Sequence, residues 1–288
     1  MVSSAAATSF DHAQALVREQ DRDRYLTALF APPEHRPGLL ALYAFNIEIA
    51  RIRDVVNDPL PGEVRLQWWR DFLTGTHHGE TSANPVAAAL AETIRRYHLP
   101  VAALVALIDA RVFDLYDDPM PTLTDLEGYA GETSSALIQL ASIVLAGGSE
   151  AGTCDAAGHA GVAYGLTGLM RALPWHAARH QQFLPSDVLD RHGVDRATLF
   201  RGEMTPELGA ALTEMRAHAR HHLDRTRGLV GSVRPEVAAA FLPVCLVEPF
   251  LKVMERKGFN PFRDRAELSQ LRRQWIIWRA ARKAFRAG

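Results

Sequence analysis

An all-α fold is predicted for this 288-residue chain by three observations. From Phe10 onward apolar residues recur at three- and four-residue steps, proline and glycine fall between the periodic segments, and alternating strand-like runs do not occur. The 48% apolar composition supplies a large core, and no internal repeat or long linker divides the chain, so one domain is expected over 10–288. The first nine residues, MVSSAAATS, are uncharged and too short for a signal peptide, and a disordered tail is expected at 1–9.

Helices are expected at 11–29, 33–56 and 62–74. The second carries an apolar stripe of Leu42, Phe45, Ile49, Ile52 and Val56. The third contains Gln67-Trp68-Trp69-Arg70, with its tryptophans read as core. The same recurrence places helices at 84–97, 101–117 and 123–146. A further helix at 153–180 holds most of the stretch GVAYGLTGLMRALPWHAARHQQFLP, from Gly161 to Pro185. Gly161, Gly165 and Gly168 make its first half thin, as in a helix packed closely against neighbours or a ligand. Its second half turns basic through Arg171, His176, Arg179 and His180, with Pro174 as a kink. His176 and His180 share the i, i+4 spacing of a metal pair, but no third ligand lies nearby in sequence, and a cavity-lining role is expected. The helix at 205–228 carries His218, His221 and His222 within HARHHLDRTR, read as a solvated face.

Helices at 233–257 and 265–285 complete the chain. From Arg263 to Gly288 there are eight Lys/Arg against two Asp/Glu, beside Trp275, Ile276, Ile277, Trp278 and Phe285. Cations beside tryptophans suit an anionic membrane surface. A last helix that docks by its aromatics and solvates its arginines has the same composition.

Several function classes lose support. The formal net charge of -1, with charges of both signs mixed along the chain, implies no nucleic-acid partner. Cys154 and Cys245 are far apart and lack CxxC or Cys/His spacing, which fits a reducing compartment and argues against a zinc site. No apolar run reaches the ~18 residues of a spanning helix. A cytoplasmic protein, or one peripheral at the inner membrane, is expected. GxSxG, GxGxxG and GxxxxGK[ST] are all absent, so neither a serine nucleophile nor a nucleotide cofactor has a sequence warrant.

The stretch 161–185 resembles the second signature of the squalene/phytoene synthase family, roughly NxLRDxxxDxxxGRxYLP. Arg171 stands at the motif's Arg, and Phe183, Leu184 and Pro185 stand at its Tyr-Leu-Pro. LLALYAFNIEIARIRDVVNDP, from Leu39 to Pro59, is similar to the family's YAFxRxxDDxxD helix through Tyr43, Ala44 and Phe45. DLEGYAGETSSALIQLASIVLAG, 125–147, takes the place of its DLxxYCxxVAGxVG segment. The resemblance implies an isoprenoid synthase-like helical bundle around a central cavity, with helices 33–56 and 153–180 facing each other across it. In that family, paired aspartates one helical turn apart hold Mg²⁺ against a prenyl diphosphate. Of those pairs, Ala50 and Asp54 occupy one and Ala172 and His176 the other, while Arg51 replaces a further aspartate. One carboxylate, Asp54, survives. Asn46 and Ile47 stand at the family's Cys and Arg, and Ser135 and Ile138 replace two glycines that give the isoprenoid chain room.

These departures, together with His192-Gly193-Val194 and EPFLKVMERKGFNPF at 248–262, resemble a branch of the family that keeps the fold, lacks the aspartate motifs and acts in complex I assembly. The implied function is non-catalytic: assembly of respiratory complex I with partners of that process, or binding of an isoprenoid or lipid. The alternative is a Mg²⁺-dependent head-to-head prenyl transferase of phytoene or squalene synthase type. No cofactor is expected, and Mg²⁺ only under that alternative. Candidate cavity and anion-binding residues are Tyr43, Asp54, Arg171, His176 and Arg179. No metal site is assigned, and Asp54 is the one remnant of the catalytic motifs. With Arg171 inside the cavity, Asp54 is expected to serve as counter-ion to a basic group from 171–180, leaving a mouth that attracts anions without metal.

Overall fold

A computed structural model of the chain describes residues 4–76 and 83–284, which form helices and turns with no strand among the described residues. Helix α1 (Ser4–Gln20) begins inside the stretch expected as a tail. Asp21 then separates it from α2 (Arg22–Ala28), because its carboxylate accepts the backbone N–H of Arg24 at 3.0 Å and caps a new helix. Helix α3 (Arg36–Ala50) buries Leu39, Leu42, Phe45 and Ile49. Arg51, at φ -93° and ψ 0°, leaves helical geometry and turns the chain into the single turn α4 (Ile52–Val55), so the helix expected at 33–56 is two. In α5 (Pro59–Thr74), Trp69 is buried edge-on against Phe45 with ring centres 5.1 Å apart, as its core reading required.

Helix α6 (Pro85–Tyr97) is followed by α7 (Val101–Ala110), which tightens into a 3₁₀ turn over Arg111–Leu115. Helices α8 (Leu123–Ala130) and α9 (Ala136–Leu145) are continuous through a π-helical turn at Gly131–Ser135. Helix α10 (Cys154–Arg171) stops before Ala172, and α11 (Leu173–Ala178) starts anew with Pro174 in its first turn. The expected kink is thus a break, since proline offers no N–H to the preceding turn and crowds its carbonyl. Two short helices, α12 (Ser186–Arg191) and α13 (Arg196–Phe200), fall where no helix was expected.

Helix α14 (Pro206–Leu229) does not carry a wholly solvated histidine face: His221 is exposed, whereas His222 is buried. The helix expected at 233–257 is instead two 3₁₀ segments, Pro235–Ala240 and Leu242–Leu246, followed by α15 (Val247–Met254). Pro235 and Pro243 remove backbone donors there. Helix α16 (Gln270–Ala284) docks through Ile277 and Ala281, each 1% exposed, while Trp275 and Trp278 remain 54% and 46% exposed. Docking by aromatics is therefore not how this helix is held. A buried ion pair, Arg273 to Asp23 of α2 at 2.9 Å, fixes it as well. Phe285 lies outside the described residues.

Helices α1, α3 and α6 pack together as one layer, α10 and α14 as another, and α9 joins both. The close approach of α10 to the π turn depends on Gly161, where an added Cβ would sit 2.2 Å from the backbone nitrogen of Ser135. Only glycine fits there.

Candidate functional site

Between the two layers lies a cavity of about 300 Å³, lined from α3 by Asn46, Ile47 and Ala50 and from α10 by Tyr164, Gly165, Gly168 and Leu169. The two motif helices thus face one another across it. Of the four glycines of α10, Gly161, Gly165 and Gly168 serve different ends. Gly161 admits the π turn, Gly165 lies against Ser134 and Ala130, and Gly168 has open space where a side chain would stand. Ser135 and Ile138, at the positions of the family's glycines, are both buried. Their side chains occupy volume that glycine would leave free.

The cavity wall is polar in a specific way. Arg24 reaches in from α2, paired with Asp21 at 2.7 Å and lying over the rings of Tyr164 at 4.9 Å and Tyr43 at 5.6 Å. Burial disfavours its charge, but the flanking Tyr164 and Asp21 outweigh that and keep it protonated. Opposite, Arg111 donates to Asp114 at 3.1 Å and to the Tyr129 hydroxyl at 2.7 Å, and Tyr129 in turn donates to Asp114 at 2.7 Å. Burial raises the pKa of Asp114, an effect that Arg111 and Tyr129 oppose. Four buried polar atoms of the cavity and its mouth, Asn46 Oδ1, Arg53 Nε, Arg111 Nε and His176 Nδ1, have no hydrogen-bond partner among the described residues. Since unsatisfied buried groups are expensive, these atoms mark places where a polar ligand group gains most.

The mouth is a second pocket of about 190 Å³, sharing Ala50, Arg111, Tyr129 and Leu169 with the first and adding Asp54, Asp114, His176 and Phe183. Asp54 accepts from Arg179 at 2.6 Å, and the Arg179 guanidinium lies 4.3 Å from the centre of the Trp175 ring. The expected counter-ion role of Asp54 is met by Arg179. Arg171 departs from expectation. Its guanidinium stacks on Phe250 at 3.7 Å and donates to Ala266 and Glu267, which turns it away from the mouth and toward the segment before α16. Tyr43 is fully buried behind Arg24 and does not line the cavity, so its link to the site runs through that arginine. His176 packs against Phe183 with ring centres 4.4 Å apart and planes tilted by 42°, and desolvation lowers its pKa to about 4, so it adds no positive charge near neutral pH. His180 lies apart, exposed, with its ring tilted against Phe200 at 5.1 Å between centres.

Sequence reading missed Arg24, Arg111, Asp114 and Tyr129. The i, i+3 pair Arg111/Asp114 was the available signal. Across cavity and mouth, the arginines at 24, 51, 53 and 111 face the aspartates at 21, 54 and 114, and three of these arginines hold a carboxylate already. The donors do not fit Mg²⁺. The side chains of Ala50 and Ala172 carry no oxygen, His176 offers a borderline nitrogen where Mg²⁺ takes hard oxygens, and the carboxylates that do converge, Asp54 and Asp114, are committed to Arg179 and Arg111.

A family profile described as squalene/phytoene synthase matches residues 17–272. The chain is 33% identical over 247 residues to a Rattus norvegicus protein named NADH dehydrogenase (ubiquinone) complex I, assembly factor 6, covering 86% of this chain and 74% of that one. It is 25% identical over 267 residues to a phytoene synthase of Thermus thermophilus, covering 92% and 90%. Among solved structures, a ligand-bound dehydrosqualene synthase superposes with a TM-score of 0.82 at 16% identity, over 96% of this chain and 97% of that one, a likeness of fold.

Proposed function

This chain belongs to the squalene/phytoene synthase family, and from that membership we propose that it is a member without prenyl-transfer chemistry that acts in the assembly of NADH dehydrogenase complex I. The observation that carries this reading is the ion pair between Asp54 and Arg179 at 2.6 Å. The surviving carboxylate of the metal motifs is engaged by an arginine, the motif positions 50, 172 and 176 offer no carboxylate, and Asp114 beside it is held by Arg111. The likeness to the assembly factors, higher in identity than that to the phytoene synthase, supports the same reading.

Within that role the cavity is proposed to hold a lipid-like or isoprenoid molecule by its apolar part, with a polar or anionic end at Asn46 and Arg111. A peripheral membrane contact through Trp275, Trp278 and the arginines of α16 would bring the protein to its ligand's source.

The test has two arms. Purified protein incubated with farnesyl or geranylgeranyl diphosphate and Mg²⁺ is expected to yield no hydrocarbon product. Deletion of the gene in its own organism is expected to lower assembled complex I on native gels. Both the wild-type chain and Asp54→Ala should restore it, the variant having lost about 0.5–1 kcal/mol of stability as a partly exposed ion pair. A Mg²⁺-dependent hydrocarbon product that disappears in Asp54→Ala would falsify the proposal and return the prenyl transferase reading.

A further inference from the structure

On the face formed by α8, α10 and α14, away from the cavity, three side chains aim ligand atoms at one point. His218 and His222 lie one helical turn apart on α14, and Glu127 reaches them from α8. Their ligand atoms all lie within 4.8 Å of one another. Glu127 Oε1 sits 2.9 Å from Nε2 of His222 and also contacts Nε2 of His218. We propose that Glu127, His218 and His222 form a binding site for a divalent transition metal of the zinc class.

The donor set is chemically coherent. Two imidazole nitrogens and one carboxylate oxygen are borderline ligands that suit zinc and its neighbours and suit Mg²⁺ or Ca²⁺ poorly. Three ligands at about 2.0–2.2 Å from a common ion stand roughly 3.3–3.5 Å apart, a separation reached here by small side-chain shifts. The site is reachable from solvent, with side-chain exposures of 31% for Glu127, 27% for His218 and 11% for His222. That leaves a fourth position for water. Cysteine spacing argued against zinc, but this set uses no cysteine, and only folding brings residue 127 to residues 218 and 222.

A third histidine supports the arrangement from behind. His159 of α10 places its Nδ1 3.0 Å from Nδ1 of His222. When His222 donates Nε2–H to Glu127, its Nδ1 must accept from His159. With a metal on Nε2, the proton moves to Nδ1 and the same contact runs the other way, His222 donating and His159 accepting. The His159 contact therefore remains satisfied in both states and holds the ring in its ligating orientation, as the outer partners of metal-bound histidines do. His221, exposed on the same helix, lies beside the His222 ring at 5.6 Å but contributes no ligand atom.

Full-length protein stripped of metal with a chelator is titrated with Zn²⁺ by calorimetry and with Co²⁺ by visible absorption. One equivalent is expected to bind, with the visible bands of four-coordinate cobalt and a rise in melting temperature. Glu127→Gln and His218→Ala should each weaken Zn²⁺ binding at least tenfold, His159→Ala should weaken it about 10–100-fold, and His221→Ala should leave it unchanged. Glu127→Gln keeps side-chain shape and an acceptor for the histidines, so it carries the comparison if His218→Ala fails to fold. Absence of stoichiometric binding by the wild-type chain overturns the proposal, as does affinity unaltered in Glu127→Gln or lost in His221→Ala.

Discussion

His176 replaces a carboxylate in a basic stretch, yet its surroundings remove its charge. Packed on Phe183 and cut off from water, it has its pKa lowered to about 4 by desolvation, with Asp54 opposing and Arg179 reinforcing the shift. Because the folded pKa lies below the unfolded value near 6.5, the unfolded chain binds the extra proton first as pH falls. Stability from this group is complete above about 6.5 and declines toward pH 4, by up to roughly 3 kcal/mol. Thermal midpoints measured across that window should show the decline, and His176→Phe, which keeps a ring against Phe183 and cannot titrate, should flatten it. An unchanged slope in the variant would locate the titration elsewhere. The residue type was plain in the sequence; its protonation state was not, because burial in the fold and the charges of residues 54 and 179 set it.

Among the elements, α10 decides the shape of the cavity. Its glycine spacing was legible as a sign of close packing, and the structure divides that role between helix contact at Gly161 and open cavity at Gly168. Gly161→Ala would drive a methyl group into the Ser135 backbone, which cannot yield as a side-chain end would, and should destabilise by about 1–3 kcal/mol or more. Gly168→Ala has no such clash and should change stability little. A denaturant series comparing the two variants checks this, and equal losses would contradict the packing argument. The breaks at Asp21, Arg51 and Pro174 also belong to this scale. Proline announced one of them, whereas Arg51 carries no local signal, and its turn is what directs Asp54 toward Arg179.

Taken as a whole, the molecule presents one face suited to a charged surface. Leu271, Trp275 and Trp278 are 80%, 54% and 46% exposed on α16, with Arg279 and Arg282 over the tryptophan rings at 5.4 Å and 4.7 Å. No helix among the described residues is long and apolar enough to cross a membrane. Vesicles containing phosphatidylglycerol should bind the protein in flotation assays, and neutral vesicles should bind it weakly. Trp275→Ala with Trp278→Ala should release it, and each arginine removed should weaken binding about fivefold at low salt, following ~1 kcal/mol per cation. Equal binding to neutral and anionic vesicles would exclude the electrostatic part.

The sequence by itself determined the all-α class, the frame of the two motif helices and the loss of three of their four metal-binding aspartates. Each of these is written locally, in the 3.6-residue recurrence of apolar side chains or in the identity of a residue at a motif position. Only the tertiary structure decided that Arg179 rather than Arg171 would meet Asp54, that His176 would be neutral, and that Arg111, Asp114 and Tyr129 would share the wall with Arg24. It alone gathered Glu127, His159, His218 and His222 from three helices. Ion pairing, desolvation and metal geometry depend on distances through space, and the packing of helices far apart in the chain sets those distances.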